Sequence, residues 1–311
     1  MSRLIKSLAY EQGFTACGIT RAELLREESL YFREWLANGY QAGMGYMNRN
    51  VDKRLDPSLL NEWAHSIIVL LFNYFPADQK LSKGSYRISK YAYGRDYHDV
   101  IKKKLELIVE GIEDEVGGIL ARVFTDSAPV MERAWAKRCG LGWTGKNACL
   151  IDREKGSYLF IGTIITNLDL AYDEASSKDL CGKCTRCIDA CPNGAIVAPG
   201  VIDAGKCISY LTIEHKGDFK ETDDLALHSW IFGCDICQDV CPWNRIAKPH
   251  TEPSFLPMNE LLNMQDEDWE KLDAGTFDKL FKQTAVERTG YDGLRRNIDQ
   301  VNKESRIRNK E

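Results

Sequence analysis

Cys181, Cys184, Cys187 and Cys191 follow one another at steps of three, three and four residues, and Pro192 comes directly after the last. Three thiolates so close together cap one face of an iron–sulfur cube, while the fourth, set one residue further on, faces a second cube; this is the run of a two-cluster [4Fe–4S] ferredoxin. A second half-run, Cys234, Cys237 and Cys241 before Pro242, is one cysteine short, and Cys207, 27 positions before Cys234, completes the count. The crossover rule then gives Cys181, Cys184, Cys187 and Cys241 to one [4Fe–4S] cluster and Cys191, Cys207, Cys234 and Cys237 to the other. Paired C-x2-C also builds zinc sites, but a three-cysteine run and two Cys-Pro endings have no counterpart there. The remaining Cys17, Cys139 and Cys149 lie in apolar or helical settings and read as small buried hydrophobes.

The chain around these cysteines has 311 residues, room for two or three domains with cores of their own. A formal net charge of −5 excludes a chain coated in positive charge, so a nucleic-acid partner has to be met by a local patch. The start, MSRLIKSLAYEQGF, lacks a signal peptide's apolar core, and no run approaches the ~20 apolar residues of a membrane helix. A soluble, cytoplasmic monomer with no membrane partner is expected, in a reducing compartment where clustered thiols bind metal rather than pair.

Residues 1–172 read as mixed α/β. Ser66 to Phe72 suits a buried strand, and His98 to Ile112 has helical spacing of Val100, Ile101, Leu105 and Ile108. Two more strand candidates, Leu120 to Thr125 and Tyr158 to Thr166, flank a helix from Val130 to Arg138 whose start is set by Asp126, Ser127 and Pro129. The polar stretch Asp173 to Lys178 is the expected boundary, with the cluster module at 173–248 and a short helical region at 249–311.

A cluster carrier alone needs far less chain than this, so the upstream domain should hold the electron acceptor. No G-x-G-x-x-G after a strand and no G-x-x-x-x-G-K-[ST] is present, which leaves a nucleotide without its phosphate cradle. The glycines from Gly140 to Gly145, beside the expected helix, suggest backbone packed against a large ligand.

The stretch DSAPVMERAWAKRCGLGWTGKN from Asp126, YAYGRDYHDV from Tyr91, the Asp52-Lys53-Arg54-x-x-Pro57 motif and the joined clusters together resemble the epoxyqueuosine reductases over roughly residues 1–250. The resemblance implies an α/β cobalamin-binding domain similar to reductive dehalogenases, a ferredoxin-like module, and C-terminal helices of HEAT type. Here those helices are expected only in reduced or truncated form, heralded by Leu294 to Ile298. It further implies a tRNA anticodon stem-loop carrying epoxyqueuosine as substrate, reduced to queuosine at the wobble position, with cobalamin and an external low-potential electron donor. By family position Asp126 is the proton donor, and Arg54, Asp126, Leu150, Ile161, Ser209 and Asp235 contact cobalamin.

Each assignment has a plainer competitor. Asp126 before Ser-Ala-Pro is a good helix N-cap, Arg54 suits a solvated surface, and Ser209 is equally a helix residue beside a ligand cysteine. Tyr91, Tyr93, Arg95, Tyr97 and His98 suit stacking on an unpaired base or simple packing, and Lys102 to Lys104 and the Arg-rich tail suit phosphates or open solvent. At the level of the whole chain the rivals are a reductive dehalogenase-like corrinoid enzyme and a two-cluster electron-transfer protein.

Overall fold

The computed structural model describes residues 1–77, 81, 83–175, 179–219 and 225–308. Helix α1 (Ser2–Glu11) leads into strand β1 (Ala16–Arg21), and the apolar run forms β2 (Ser66–Asn73). Helix α2 (Tyr97–Val116) precedes β3 (Ala121–Phe124), α3 (Glu132–Arg138) and β4 (Leu159–Thr166). The four strands make one antiparallel sheet in the order β1-β2-β4-β3, with Ser66 opposite Thr166 and Asn73 opposite Leu159 along its centre.

An antiparallel strand with no polar face requires cover on both sides, and alternation divides β2 between two cores. Ile68, Leu70 and Phe72 meet Ile5 and Ala9 of α1 and Ile101, Leu105, Ile108 and Ile112 of α2. Ile67, Val69 and Leu71 meet Leu25, Leu55, Trp135 and Leu150 on the opposite face. Helix α2 starts where Asp96 accepts the His98 N–H at 3.0 Å and ends at Gly117, so its apolar stripe is longer than its sequence pattern suggests.

The cluster region contributes α4 (Ile208–Ile213) and the one-turn α5 (Ile236–Asp239), and the chain closes on α6 (Gly290–Arg308). The expected regions 1–172, 173–248 and 249–311 follow chain order but are not three separate cores. Leu81, Tyr86, Ile88 and Tyr93 pack in one cluster with Ile208, Trp230 and Phe232, and with Trp269, Phe281, Leu294 and Ile298. The boundary segment is also anchored at its start: Asp173 accepts the Ile19 N–H at 2.8 Å and pairs with Lys6 at 2.6 Å. Ser176, Ser177 and Lys178 of that segment, and Asn309 to Glu311 of the tail, lie outside the described residues. Among the described residues no helix is long and apolar enough to cross a membrane.

Leu294 to Ile298 is an interior face. Leu294, Asn297 and Ile298 are fully buried, and Asn297 Nδ2 donates to Thr212 O at 2.8 Å and to Ile231 O at 2.9 Å. Arg296 donates to the carbonyls of Leu211, His215 and Gly217. Because a buried carbonyl that loses its donor costs about 1–3 kcal/mol, Asn297→Leu should destabilise the chain by about 2–4 kcal/mol. Chemical denaturation checks this, and a loss below about 1 kcal/mol would show that α6 is not held through this residue.

Candidate active site

Asp126 follows β3 at φ 48°, a left-handed turn that Asp tolerates better than most residues. It is not a cap: α3 starts six residues later with Met131 as its N-cap residue and no side-chain cap bond. The relation runs the other way. Both Glu132 carboxylate oxygens accept the Asp126 backbone N–H, at 3.0 and 3.1 Å, which closes the turn and leaves the Asp126 side chain exposed. Its Oδ2 accepts the Tyr97 O–H at 2.6 Å.

Tyr97 is buried against Phe160, with ring centres 4.3 Å apart, and stacks on His98. Burial first, and then the Asp126 charge, push its phenol well above its ordinary value, so it is a firm hydrogen-bond donor at neutral pH. Burial likewise drives Glu132 well above the usual carboxylate range, with the Asp126 charge adding to it. The Asp126 charge also acts on Arg54, Tyr46, Tyr91 and Arg288, so these four stand within its electrostatic reach. Arg288, from the C-terminal region, is paired with Glu214 at 2.6 Å.

Of the other expected cofactor contacts, Arg54 ends the short helix Val51–Leu55. Its Nη2 donates to Tyr46 O at 3.3 Å, while its Nε is buried without a partner, as is Gln41 Oε1. Leu150 is buried in the hairpin that pairs Trp143–Thr144 with Leu150–Ile151. Ile161 lies on β4, and its carbonyl accepts the hydroxyl of Thr125, next to Asp126, at 2.9 Å. Ser209 lies on α4 beside Tyr210, whose hydroxyl oxygen accepts the Gly43 N–H at 2.8 Å. Asp235 is fully buried and its carboxylate is spent inside the protein, on Ser89 Oγ and the Lys90 N–H, so only its backbone is left for a ligand. Apolar Leu150 and Ile161 with unmatched polar atoms of Arg54 and Gln41 fit a large ligand with both apolar and hydrogen-bonding edges.

The cysteines fall into two neighbourhoods. Burial raises the Cys187 thiol, with Cys181 and Cys241 adding to it, and Cys241 is affected by Cys181 and Cys184. Cys207 is raised by burial and then by Cys191, Cys234 by burial and then by Cys207 and Cys191, and Cys237 is acted on by Cys234 and Cys207. Donors converge on the sulfurs: the Ala195 N–H reaches Cys191 at 3.2 Å, Trp143 Nε1 reaches Cys181 at 3.4 Å, and the Ser209 and Tyr210 N–H groups reach Cys207. Such bonds to sulfur are what cluster-bound thiolates use.

Several expectations change. Cys17 and Cys139 are buried, but Cys149 touches the Cys237 thiol and so borders the second cysteine neighbourhood. Two of the Gly140 to Gly145 glycines also serve a tight hairpin: a Cβ on Gly142 would lie 2.2 Å from Ile151 O, and one on Gly145 would strike the Ile151 side chain. Tyr93 and Tyr97 are core residues, and Lys104 is paired with Glu252 at 3.0 Å, which removes them from an RNA surface. Glu132, Glu214 and Arg288 were missed as site residues. Glu132 sits in the DSAPVME stretch, and its six-residue distance from Asp126 was the available signal.

The fold and site define an α/β protein in which a cysteine-rich module is bonded to the end of the sheet and an exposed carboxyl is held on a constrained turn. Residues 180–244 match the 4Fe-4S double cluster binding domain, and residues 54–127 match the family described as epoxyqueuosine reductase QueG, DUF1730. The epoxyqueuosine reductase of Cellulophaga algicola is 50% identical over 298 residues, 96% of this chain and 97% of that protein. The chain belongs to the epoxyqueuosine reductase family. Among solved structures, an epoxyqueuosine reductase with an epoxyqueuosine-modified tRNA-Tyr stem loop matches with a TM-score of 0.84 at 29% identity, covering 96% of this chain and 80% of that one. A Bacillus subtilis epoxyqueuosine reductase, described as having its catalytic aspartate loop swung out of the active site, matches with a TM-score of 0.85 over the same shares at 29% identity. The reductive dehalogenase NpRdhA shares the fold at 16% identity and a TM-score of 0.50, over 97% of this chain and 36% of that one.

The raised Glu132 carboxyl has a consequence for stability. An acid that binds its proton more tightly when folded contributes fully below its unfolded value, about 4.3, and loses that contribution as pH rises through the folded value. Glu132→Gln keeps a neutral acceptor for the Asp126 N–H and has no charge to bury. Its melting temperature relative to the parent should therefore climb as pH rises above about 4.3; a difference that stays flat with pH would refute a protonated Glu132.

Proposed function

We propose that this chain reduces epoxyqueuosine to queuosine at the wobble position of a tRNA anticodon stem-loop, in the cytoplasm and as a monomer. The reaction takes the epoxide oxygen as water, consuming two electrons and two protons and leaving an alkene. The observation that carries the reading is Asp126: an exposed carboxyl on a turn closed by Glu132, oriented by Tyr97 and set among Arg54, Arg288 and Tyr46. The family membership and the tRNA-bound relative support the substrate.

In this reading Cys181, Cys184, Cys187 and Cys241 hold one [4Fe–4S] cluster and Cys191, Cys207, Cys234 and Cys237 the other, fed by an external low-potential donor. Arg54, Asp126, Leu150, Ile161, Ser209 and the Asp235 backbone would hold cobalamin. Bound there, cobalamin supplies the reducing equivalents at the epoxide carbon. The rest belongs to the chain. Opening an epoxide leaves an alkoxide, a poor leaving group until protonated, and Asp126 delivers that proton as general acid. The Tyr97 O–H holds Oδ2, so the other oxygen is the one free to carry the proton toward substrate.

Asp126→Asn keeps the size, the turn and the acceptor for Tyr97 but has no acidic proton. With iron, sulfide and cobalamin restored anaerobically and a strong reductant added, the variant should bind both cofactors normally while turnover falls about 10²–10⁴-fold. Mass analysis of tRNA nucleosides gives the readout. Near-normal conversion by the variant removes Asp126 from catalysis, and persistent epoxyqueuosine with the cofactor-replete parent removes the function.

A further inference from the structure

Lys90 carries a charge for which the reaction above has no use. Its side chain is 4% exposed, and its Nζ lies 2.6 Å from Asp239 Oδ1 and 3.6 Å from Asp235 Oδ2. It also stands 5.4 Å from the centre of the Tyr158 ring, and Tyr158 donates its O–H to the same Asp239 oxygen. The Lys90 N–H donates to Asp235 Oδ2 at 2.8 Å, and Ser89 Oγ donates to Asp235 Oδ1 at 2.5 Å. Both Asp235 oxygens are therefore matched inside the protein, while the Asp239 side chain, 40% exposed, forms the solvent side of the nest.

The two carboxylates occupy special places in the chain. Asp235 stands between Cys234 and Cys237, and Asp239 between Cys237 and Cys241. Lys90 and Tyr158 both come from the upstream half, so the cation is carried to the cysteine loop by a different part of the fold. Lysine is rarely buried, and an ion pair taken out of water gains little net stability over apolar packing of the same volume. Holding two pieces of chain together does not call for a charge. What a buried charge does that an apolar side chain cannot is set the potential around it, where the low dielectric leaves it poorly screened. Net charge and hydrogen bonding near the sulfurs are the protein's means of adjusting a cluster's reduction potential.

We propose that Lys90 is a positioning residue that sets the reduction potential of the cluster held by Cys234 and Cys237. It offsets the charges of Asp235 and Asp239, so that uptake of one electron by that cluster is easier than it would be beside two uncompensated carboxylates. The proposal rests on the assignment of these cysteines to a cluster, and it extends that assignment to a residue outside the ligand set.

The test uses the full chain with clusters restored anaerobically, in four variants: Lys90→Met, Lys90→Arg, Asp239→Asn and the double variant Lys90→Met/Asp239→Asn. Iron and sulfide are counted first, and a potentiometric titration followed by electron paramagnetic resonance then gives the midpoint of each cluster. With about eight irons retained, Lys90→Met should shift one cluster's midpoint to more negative potential and Asp239→Asn should shift it to more positive potential. The double variant should return toward the parent, and Lys90→Arg should stay close to it. Full iron with unmoved midpoints, or shifts of the same sign in the two single variants, overturns the proposal, since loosened packing has no reason to follow the sign of the charge removed. Should Lys90→Met fail to fold, Asp239→Asn decides: full iron with an unshifted or more negative midpoint overturns it. A parent chain that takes up no iron would instead defeat the cluster assignment itself.

Discussion

The arrangement depends on a buried polar seam between the end of the sheet and the cysteine-bearing helix α5. Ser157, at the entry to β4, donates its N–H to Asn244 Oδ1 at 2.6 Å and its hydroxyl to Gln238 at 2.8 Å, while Asn244 returns a bond to Ser157 Oγ at 2.9 Å. Gln238 reaches Tyr74 at 3.2 Å, Asn147 reaches the Cys237 carbonyl at 3.4 Å, and Lys90 and Tyr158 meet Asp239. The fit admits no side chain at Gly156, which has φ 80° and whose Cβ would lie 2.3 Å from Asn244 Oδ1. Directional bonds in a dry seam penalise any slip, because each displaced group loses its partner without gaining water. Two thiol neighbourhoods and the Asp126 turn are thereby referred to one frame.

What was legible in the sequence was what is encoded at short range. Cysteine spacing is local, and so is the alternation of Ile67 to Phe72, which marks a strand covered on both faces; both are visible in a dozen residues. Three of the four main strands, β2, β3 and β4, and α2 lie within a few residues of where their patterns put them, while β1 carries no such pattern and is an addition of the fold. Asp126 was legible in position but ambiguous in role, because Asp-Ser-Ala-Pro before a helix has the composition of a cap. Only the fold shows that the bond runs from the Asp126 N–H to Glu132 and that the carboxylate is held by a tyrosine 29 residues upstream. The glycines of the 140–145 segment are ambiguous for a related reason: a missing Cβ signals close approach but does not name the approaching group, which for Gly142 and Gly145 includes Ile151.

The Asp126 turn illustrates how a strained residue is held in place. A left-handed Asp is mildly strained, and strain of this size persists only where neighbours fix it. Glu132 fixes the backbone and Tyr97 the side chain, while burial keeps the tyrosine proton from being lost. Arg54 and Arg288 come within reach of the Asp126 charge from opposite ends of the sequence. Asp126 is therefore held at its backbone and at one carboxyl oxygen while its side chain stays exposed.

The C-terminal helices belong to this site as much as the sheet does. Residues 86–93 run through the third core, where Tyr86, Ile88 and Tyr93 pack with Trp269, Phe281 and Leu294. The same stretch delivers Ser89 and Lys90 to Asp235, and Tyr91 to the space acted on by both Asp126 and Asp235. It follows that α6 positions the active site without touching it. By holding Thr212 and Ile231 through Asn297, it closes the core that orients the 86–93 segment, which in turn meets the cysteine loop through Ser89 and Lys90. A region that reads in sequence as a basic tail is in the structure the back wall of the redox site.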